Sequence, residues 1–129
     1  MRLQDKVAIV SGAGKGIGEA IALQFAAQGA RVLALEKDAA AAAALAIQLP
    51  GHDVRVLDVT DRHALDAAVN DLLSAQGRVD ILVNNAVTYA ERPVHACSDE
   101  DWDNTIDSAL SAVFRACRAV LPSMMAARS

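Results

Sequence analysis

Four glycines in seven residues, Gly12, Gly14, Gly16 and Gly18, follow directly on the apolar run Val7-Ala8-Ile9-Val10. A helical pattern begins at once: Ile17, Ile21, Phe25 and Gln28, with alanines between. This reads as a buried strand, a glycine turn and a helix, the context in which a glycine motif carries meaning. Glycines let the chain turn tightly and let a ligand approach where a Cβ would collide. The helix then starts with unpaired N–H groups and a partial positive charge aimed at the turn, which suits a pyrophosphate. The general pattern G-x-G-x-x-G, begun at Gly12, would need glycine at Ile17; what fits is Gly12-x-x-x-Gly16-x-Gly18. A bare strand-to-helix turn has the same local look, so the rest of the chain must decide.

The 129 residues are enough for a single domain, residues 1–129, with its own core. At 53% apolar and 3% aromatic, that core has to be filled by alanine, valine and leucine. No uninterrupted apolar run approaches the ~18–20 residues of a membrane span, so no membrane partner is expected. The start, MRLQDKVAIV, mixes charge into a strand and is unlike a signal peptide. A net charge of −4 without a basic block argues against nucleic acid. Cys97 and Cys117 lie 20 apart without metal spacing, which predicts a reducing, cytoplasmic setting and no disulfide framework. His52, His63 and His95 are scattered singly and predict no metal site.

In order, residues 6–11 read as strand, 16–28 as helix ended by Gly29, and 31–35 as strand. Glu36 closes that second strand 18 residues beyond Gly18, where an acid accepts hydrogen bonds from an adenosine ribose; the alternative is a solvated acid capping the next helix. The alanine tract 39–48 is a helix, stopped by Pro50-Gly51. Residues 54–57 form the third strand. Asp58 after it could meet an adenine amino group and Val59 the ring, or Asp58 could be an ordinary loop acid. Thr60 and Asp61 can cap a helix that runs to about Gln76 through Leu65, Ala68-Val69 and Leu72-Leu73 and ends at Gly77.

Residues 79–83 are the fourth strand, broken by Asn84-Asn85-Ala86, whose asparagines can hydrogen-bond exposed backbone and hold a loop open. Ser98 to Asp101 forms a capping box with aspartate in the usual glutamate place. The helix it starts, 100–126, carries a stripe from Trp102 through Ile106, Leu110, Val113-Phe114, Cys117, Val120-Leu121 and Met124, predicted to serve core and subunit contact. Pro122 should kink or end it. The strand–helix alternation predicts an α/β, Rossmann-type three-layer fold around a parallel sheet of order 3-2-1-4, with strand four at an open, association-prone edge. Ligand then binds at the carboxyl ends of the strands.

Ser11-Gly12-Ala-Gly-Lys-Gly16-Ile17-Gly18, Leu57-Asp58-Val59, Asp80 to Ala86, and Trp102 through Pro122 together resemble the short-chain dehydrogenase/reductase family over the whole chain. The resemblance implies a nicotinamide cofactor and hydride transfer to or from an alcohol or carbonyl carbon of a small molecule. It implies that Gly12, Gly16 and Ile17 cradle the pyrophosphate, with Lys15 and Gly18 in the same turn. Glu36 would read the ribose, Asp58 and Val59 hold the adenine, and Asn85 and Ala86 line the cofactor. Glu36 favours NAD; Lys15 and Lys37 could reach a 2′-phosphate and favour NADP. Relatives pair the long helix with its mate, so a homo-oligomer is expected.

Two substitutions depart from the family pattern: Val87 stands where glycine is usual, and Ala109 where an asparagine often serves the proton relay. Family catalysis uses a serine and a Tyr-x-x-x-Lys pair beyond the fifth strand. The single tyrosine here, Tyr89, has Pro93 four residues on, so no catalytic residue is assigned. The chain then reads as the cofactor-binding portion of an oxidoreductase, truncated before the fifth strand. The competing reading is a non-catalytic dinucleotide-binding or interaction module.

Overall fold

Side chains alternate across the first strand, β1 (Val7–Ser11), and the second, β2 (Arg31–Glu36), and every residue but Arg31 is buried. Val7, Ile9, Leu33 and Leu35 point to one face, and Val10, Val32 and Ala34 to the other. A strand covered on both sides has this continuous apolar composition. The computed structural model, which describes residues 1–128, places β3 (Asp53–Val56) beside β2 and β4 (Ile81–Val83) beside β1. All pairs are parallel and the order is β3-β2-β1-β4. The helices are α1 (Gly16–Ala27), α2 (Ala39–Gln48), α3 (Arg62–Gln76), α4 (Asp99–Ile106) and α5 (Ala112–Ala127). The large residues Leu65, Val69 and Leu72 of α3 and Val120 of α5 fill one side of the sheet; Ala22 of α1 and Ala42 and Leu45 of α2 are buried on the helices of the other.

The register of β1 on β4 is fixed from one residue. Asp80 donates its N–H to the Val7 carbonyl (2.8 Å) and accepts the Val7 N–H on its carboxylate (2.9 Å). Arg78 grips the same carboxylate from outside (2.9 Å), and the Asp80 side chain is only 4% exposed. Burial alone would raise this carboxyl, but the hydrogen bonds from Arg78 and Val7 and the charges of Arg78 and Lys6 outweigh it and hold it below the usual carboxylate range. At the far edge, His52 Nδ1 accepts the Val32 N–H (3.2 Å), so this histidine has a structural task.

Several element ends differ from the sequence reading. β3 spans 53–56 rather than 54–57, and β4 begins at Ile81 because Val79 and Asp80 are taken up in core and anchor. Asp61 alone caps α3, while Thr60 turns back to Asp58. The Ser98–Asp101 capping box forms as expected. Pro122 does not end the last helix, which continues to Ala127. Pro122 and Arg118, whose carbonyl loses its donor, both lie on the exposed side, where water can serve that carbonyl.

A five-residue π turn, Asp107–Ser111, separates α4 from α5. The apolar stripe accordingly divides. Ala112, Ala116 and Val120 are buried, whereas Trp102, Leu110, Phe114 and Leu121 face outward. The segment Asp99–Ala127 is long enough to span a membrane (29 residues), and an 18-residue window within it reaches a mean hydropathy of 1.2. Its buried face packs on α3 and β4, as a sheet-covering helix does.

Asp80→Ala should cost about 2 kcal/mol, because the Val7 N–H and the Arg78 guanidinium lose their acceptor. The folded-state pKa of Asp80 lies below its unfolded value, so its contribution is present above about pH 4 and is lost as pH falls through the folded pKa. Urea unfolding of both proteins from pH 7 to 2 checks this: the gap between them should narrow only at the acid end. A gap that stays constant with pH contradicts the assignment.

Candidate functional site

The carboxyl ends of the four strands enclose a solvent-open cleft of about 210 Å³. Its floor is the glycine turn. Gly12 and Gly16 have φ of +62° and +61°, which glycine adopts without strain. A Cβ on Gly18 would run into the Gly12 carbonyl and the Asn85 amide, whereas one on Gly16 would meet nothing within 4 Å. The turn is packed tight below and left open above. Lys15 is the N-cap of α1 and gives no side-chain cap, so no side chain closes off the first N–H groups of that helix. Ile17 stands 74% exposed beside them.

One wall is acidic. Glu36 is buried, and its carboxylate accepts N–H groups from Gly14 (2.9 Å) and Asp38 (3.1 Å). It does not cap α2; Asp38 does, through Ala40 and Ala41. A carboxylate has room for about four donors, and the protein supplies two of them to Glu36. Asp58 accepts both the N–H (2.9 Å) and the hydroxyl (2.8 Å) of Thr60. Burial pushes its carboxyl up, but those two bonds and the charge of Lys37 outweigh it and hold it below the usual range. Val59 is half-buried next to it, and both line the cleft.

The opposite wall is the segment after β4. Asn85 and Ala86 both donate backbone N–H groups to Ser11 Oγ (3.0 and 3.1 Å), and the Asn85 side chain donates to the Gly12 carbonyl (3.1 Å). Asn84 does not hold backbone; its amide approaches the Cys117 sulfur at 3.8 Å. Val87 is exposed and keeps an ordinary negative φ, so the absence of glycine strains nothing there. Lys37 reaches across the cleft to Thr88 Oγ1 (2.9 Å). Tyr89 lies on the surface loop beyond, its hydroxyl 3.4 Å from Glu91.

The expected site residues therefore converge: Gly12, Lys15, Gly16, Ile17 and Gly18 form the turn, Glu36, Asp58 and Val59 one wall, Asn85 and Ala86 the other. Sequence reading missed two buried hydroxyls, Ser11 and Ser108, as parts of the site. A short hydroxyl residue closing an otherwise apolar strand was the available signal for Ser11. None pointed to Ser108, which the π turn aims inward. A second gap, only about 10 Å³ and so no larger than a water molecule, lies beneath the cleft between the sheet, α3 and α5. Its walls, among them Ile9, Leu65, Val69 and Ala112, are almost wholly apolar, as expected of core packing space. No group of three or more potential metal ligands occurs among the described residues.

Ser11→Ala should cost about 1–3 kcal/mol, since two half-buried N–H groups lose their acceptor. Thermal unfolding and amide exchange at Asn85 and Ala86 measure this; Ser11→Thr should retain wild-type protection. Unchanged exchange in the alanine variant would remove Ser11 from the role.

The family model for short chain dehydrogenases matches residues 6–129. The chain is 42% identical over 130 aligned residues to D-threitol dehydrogenase of Mycolicibacterium smegmatis, covering 98% of this chain and 50% of that protein. It is 36% identical to the 3-oxoacyl-(acyl-carrier-protein) reductase FabG of Escherichia coli, covering 99% and 53%. It spans about half the length of these curated relatives. A crystal structure of a metagenomic short-chain oxidoreductase in complex with NADP superposes with a TM-score of 0.88 at 34% identity, covering 98% of this chain and 60% of that one. By sequence and by fold, the chain belongs to the short-chain dehydrogenase family.

Proposed function

We propose that residues 1–129 form a single NAD(P)-binding domain, the cofactor-binding portion of an oxidoreductase that moves hydride between a nicotinamide and an alcohol or carbonyl carbon. The observation that carries this is the joining of an open glycine turn, an uncapped helix start and the buried Glu36 around one cleft. A nicotinamide dinucleotide, when bound, supplies the hydride acceptor or donor. Gly12, Gly16, Ile17 and the start of α1 would hold its pyrophosphate, with Lys15 adding positive charge. Glu36 would accept from the adenosine ribose, Asp58 and Val59 would take the adenine, and Asn85 and Ala86 the part beyond the pyrophosphate.

Glu36 makes NAD the favoured cofactor, because a 2′-phosphate would meet a buried carboxylate. Lys15 and Lys37 are the groups that could admit NADP. The substrate class is a small carbonyl or alcohol compound. The outward residues Leu110, Phe114, Leu121 and Met125 on the long helix support a homo-oligomer, and a cytoplasmic setting goes with two free cysteines. The long helix covers the sheet, so no membrane is proposed as a partner, and a net charge of −4 without a basic block speaks against nucleic acid.

No Tyr-x-x-x-Lys pair occurs in residues 1–129. The expected outcome for the isolated chain is dinucleotide binding, read by Trp102 fluorescence or calorimetry, without carbonyl reduction. Turnover by the purified chain, free of longer homologues, would overturn the second half of that statement; no binding would overturn the first. Glu36→Ala should shift the NADP-to-NAD affinity ratio toward NADP by about tenfold, one like-charge contact being removed. An unchanged ratio would take Glu36 out of cofactor choice.

A further inference from the structure

Besides Asp80, whose carboxylate anchors β4, three polar residues are buried among the described residues: Ser11, Glu36 and Ser108. The first two hold the glycine turn and the start of the loop after β4. Ser108 has had no role so far, yet it is the most buried of the three, at 3% exposure. It sits inside the π turn. Its single proton is surrounded by the carbonyls of Asn104 (3.0 Å), Thr105 (3.3 Å) and Thr88 (3.2 Å). Whichever carbonyl takes that proton, the oxygen lone pair accepts the Thr88 N–H at 2.9 Å. Ser108 and Thr88 both line the cleft. They stand on the wall away from Glu36 and Asp58.

We propose that Ser108 is a positioning residue for the dinucleotide: it pins Thr88 to the long helix and so fixes the cleft wall formed by residues 85–88. The inference rests on the dinucleotide reading of the cleft. The strand order gives it a specific signature. The acids close β2 and follow β3, whereas residues 85–88 follow β4, on the other side of β1. A mononucleotide held at Glu36 and Asp58 takes its contacts from the acidic wall, which only the Lys37 side chain links to Thr88 (2.9 Å). A ligand that continues past the glycine turn rests against residues 85–88. Ser108 accordingly serves only the longer ligand.

The test compares AMP with ADP-ribose by calorimetry on the wild-type chain, Ser108→Ala and Ser108→Thr. In Ser108→Ala the dissociation constant for ADP-ribose should rise about tenfold while that for AMP stays unchanged. Ser108→Thr keeps the hydroxyl and should bind both as the wild type does. Equal weakening of both ligands would mean general loosening and would overturn the proposal, as would an unaffected ADP-ribose affinity. A wild-type chain that binds neither ligand would bring down the dinucleotide reading itself, and the proposal with it. Amide exchange in the wild type decides the matter without a variant: a Thr88 N–H that exchanges as fast as an unstructured amide contradicts the pin, and a protected one supports it.

Discussion

The cleft depends on one hydroxyl. Ser11 ends β1, and its oxygen accepts two successive N–H groups from the segment that ends β4. Parallel strands stop at their carboxyl ends with backbone groups that no neighbour completes. Here a buried side chain completes them, so the chain leaves β4 as an ordered wall. The Asn85 side chain repeats the tie from the other direction, onto the Gly12 carbonyl. The glycine turn and the wall after β4 are thereby one rigid unit, and Gly18 must be glycine because α1 starts against that same contact.

Around that unit the two sides of the sheet are built differently. Leucine, isoleucine and valine fill the space under α3 and α5, while Ala13, Ala22, Ala30 and Ala34 occupy much of the other side, with Leu45 of α2. None of the few aromatics is fully buried among the described residues, and Phe25 of α1 packs only at the margin of the alanine-rich side. The opposite end of the sheet is clamped by Asp80, which fixes β4 in register on β1. Register at one end and Ser11 at the other together determine where Asn85 and Ala86 stand.

Much of this was legible in the sequence. Period and composition located the buried strands, since Val7 to Val10 and Arg31 to Leu35 are apolar runs bounded by turn residues. The glycine turn, Gly77 and the Ser98 capping box are local devices, and local chemistry reads directly. Other features were not legible because they are tertiary. Ser108 looks like any helical serine until the π turn aims it at Thr88. Pro122 has a strong local preference to end a helix, but its position on an exposed side lets α5 continue. The apolar stripe of the last helix suggested a single face, whereas the structure buries Ala112, Ala116 and Val120 and leaves Leu110 and Phe114 outside. Glu36 was open between helix cap and ribose partner; Asp38 takes the cap, which leaves Glu36 facing the cleft.

The most direct test of the account is a map of ADP-ribose binding by backbone amide shifts in the labelled chain. The account predicts that saturating shifts gather on residues 12–18, 36–37, 58–59 and 85–88, which line one cleft from four strand ends. Shifts centred instead on the outer groove of β3, around Asp53, Arg55 and Asp71, or none at all, would contradict it.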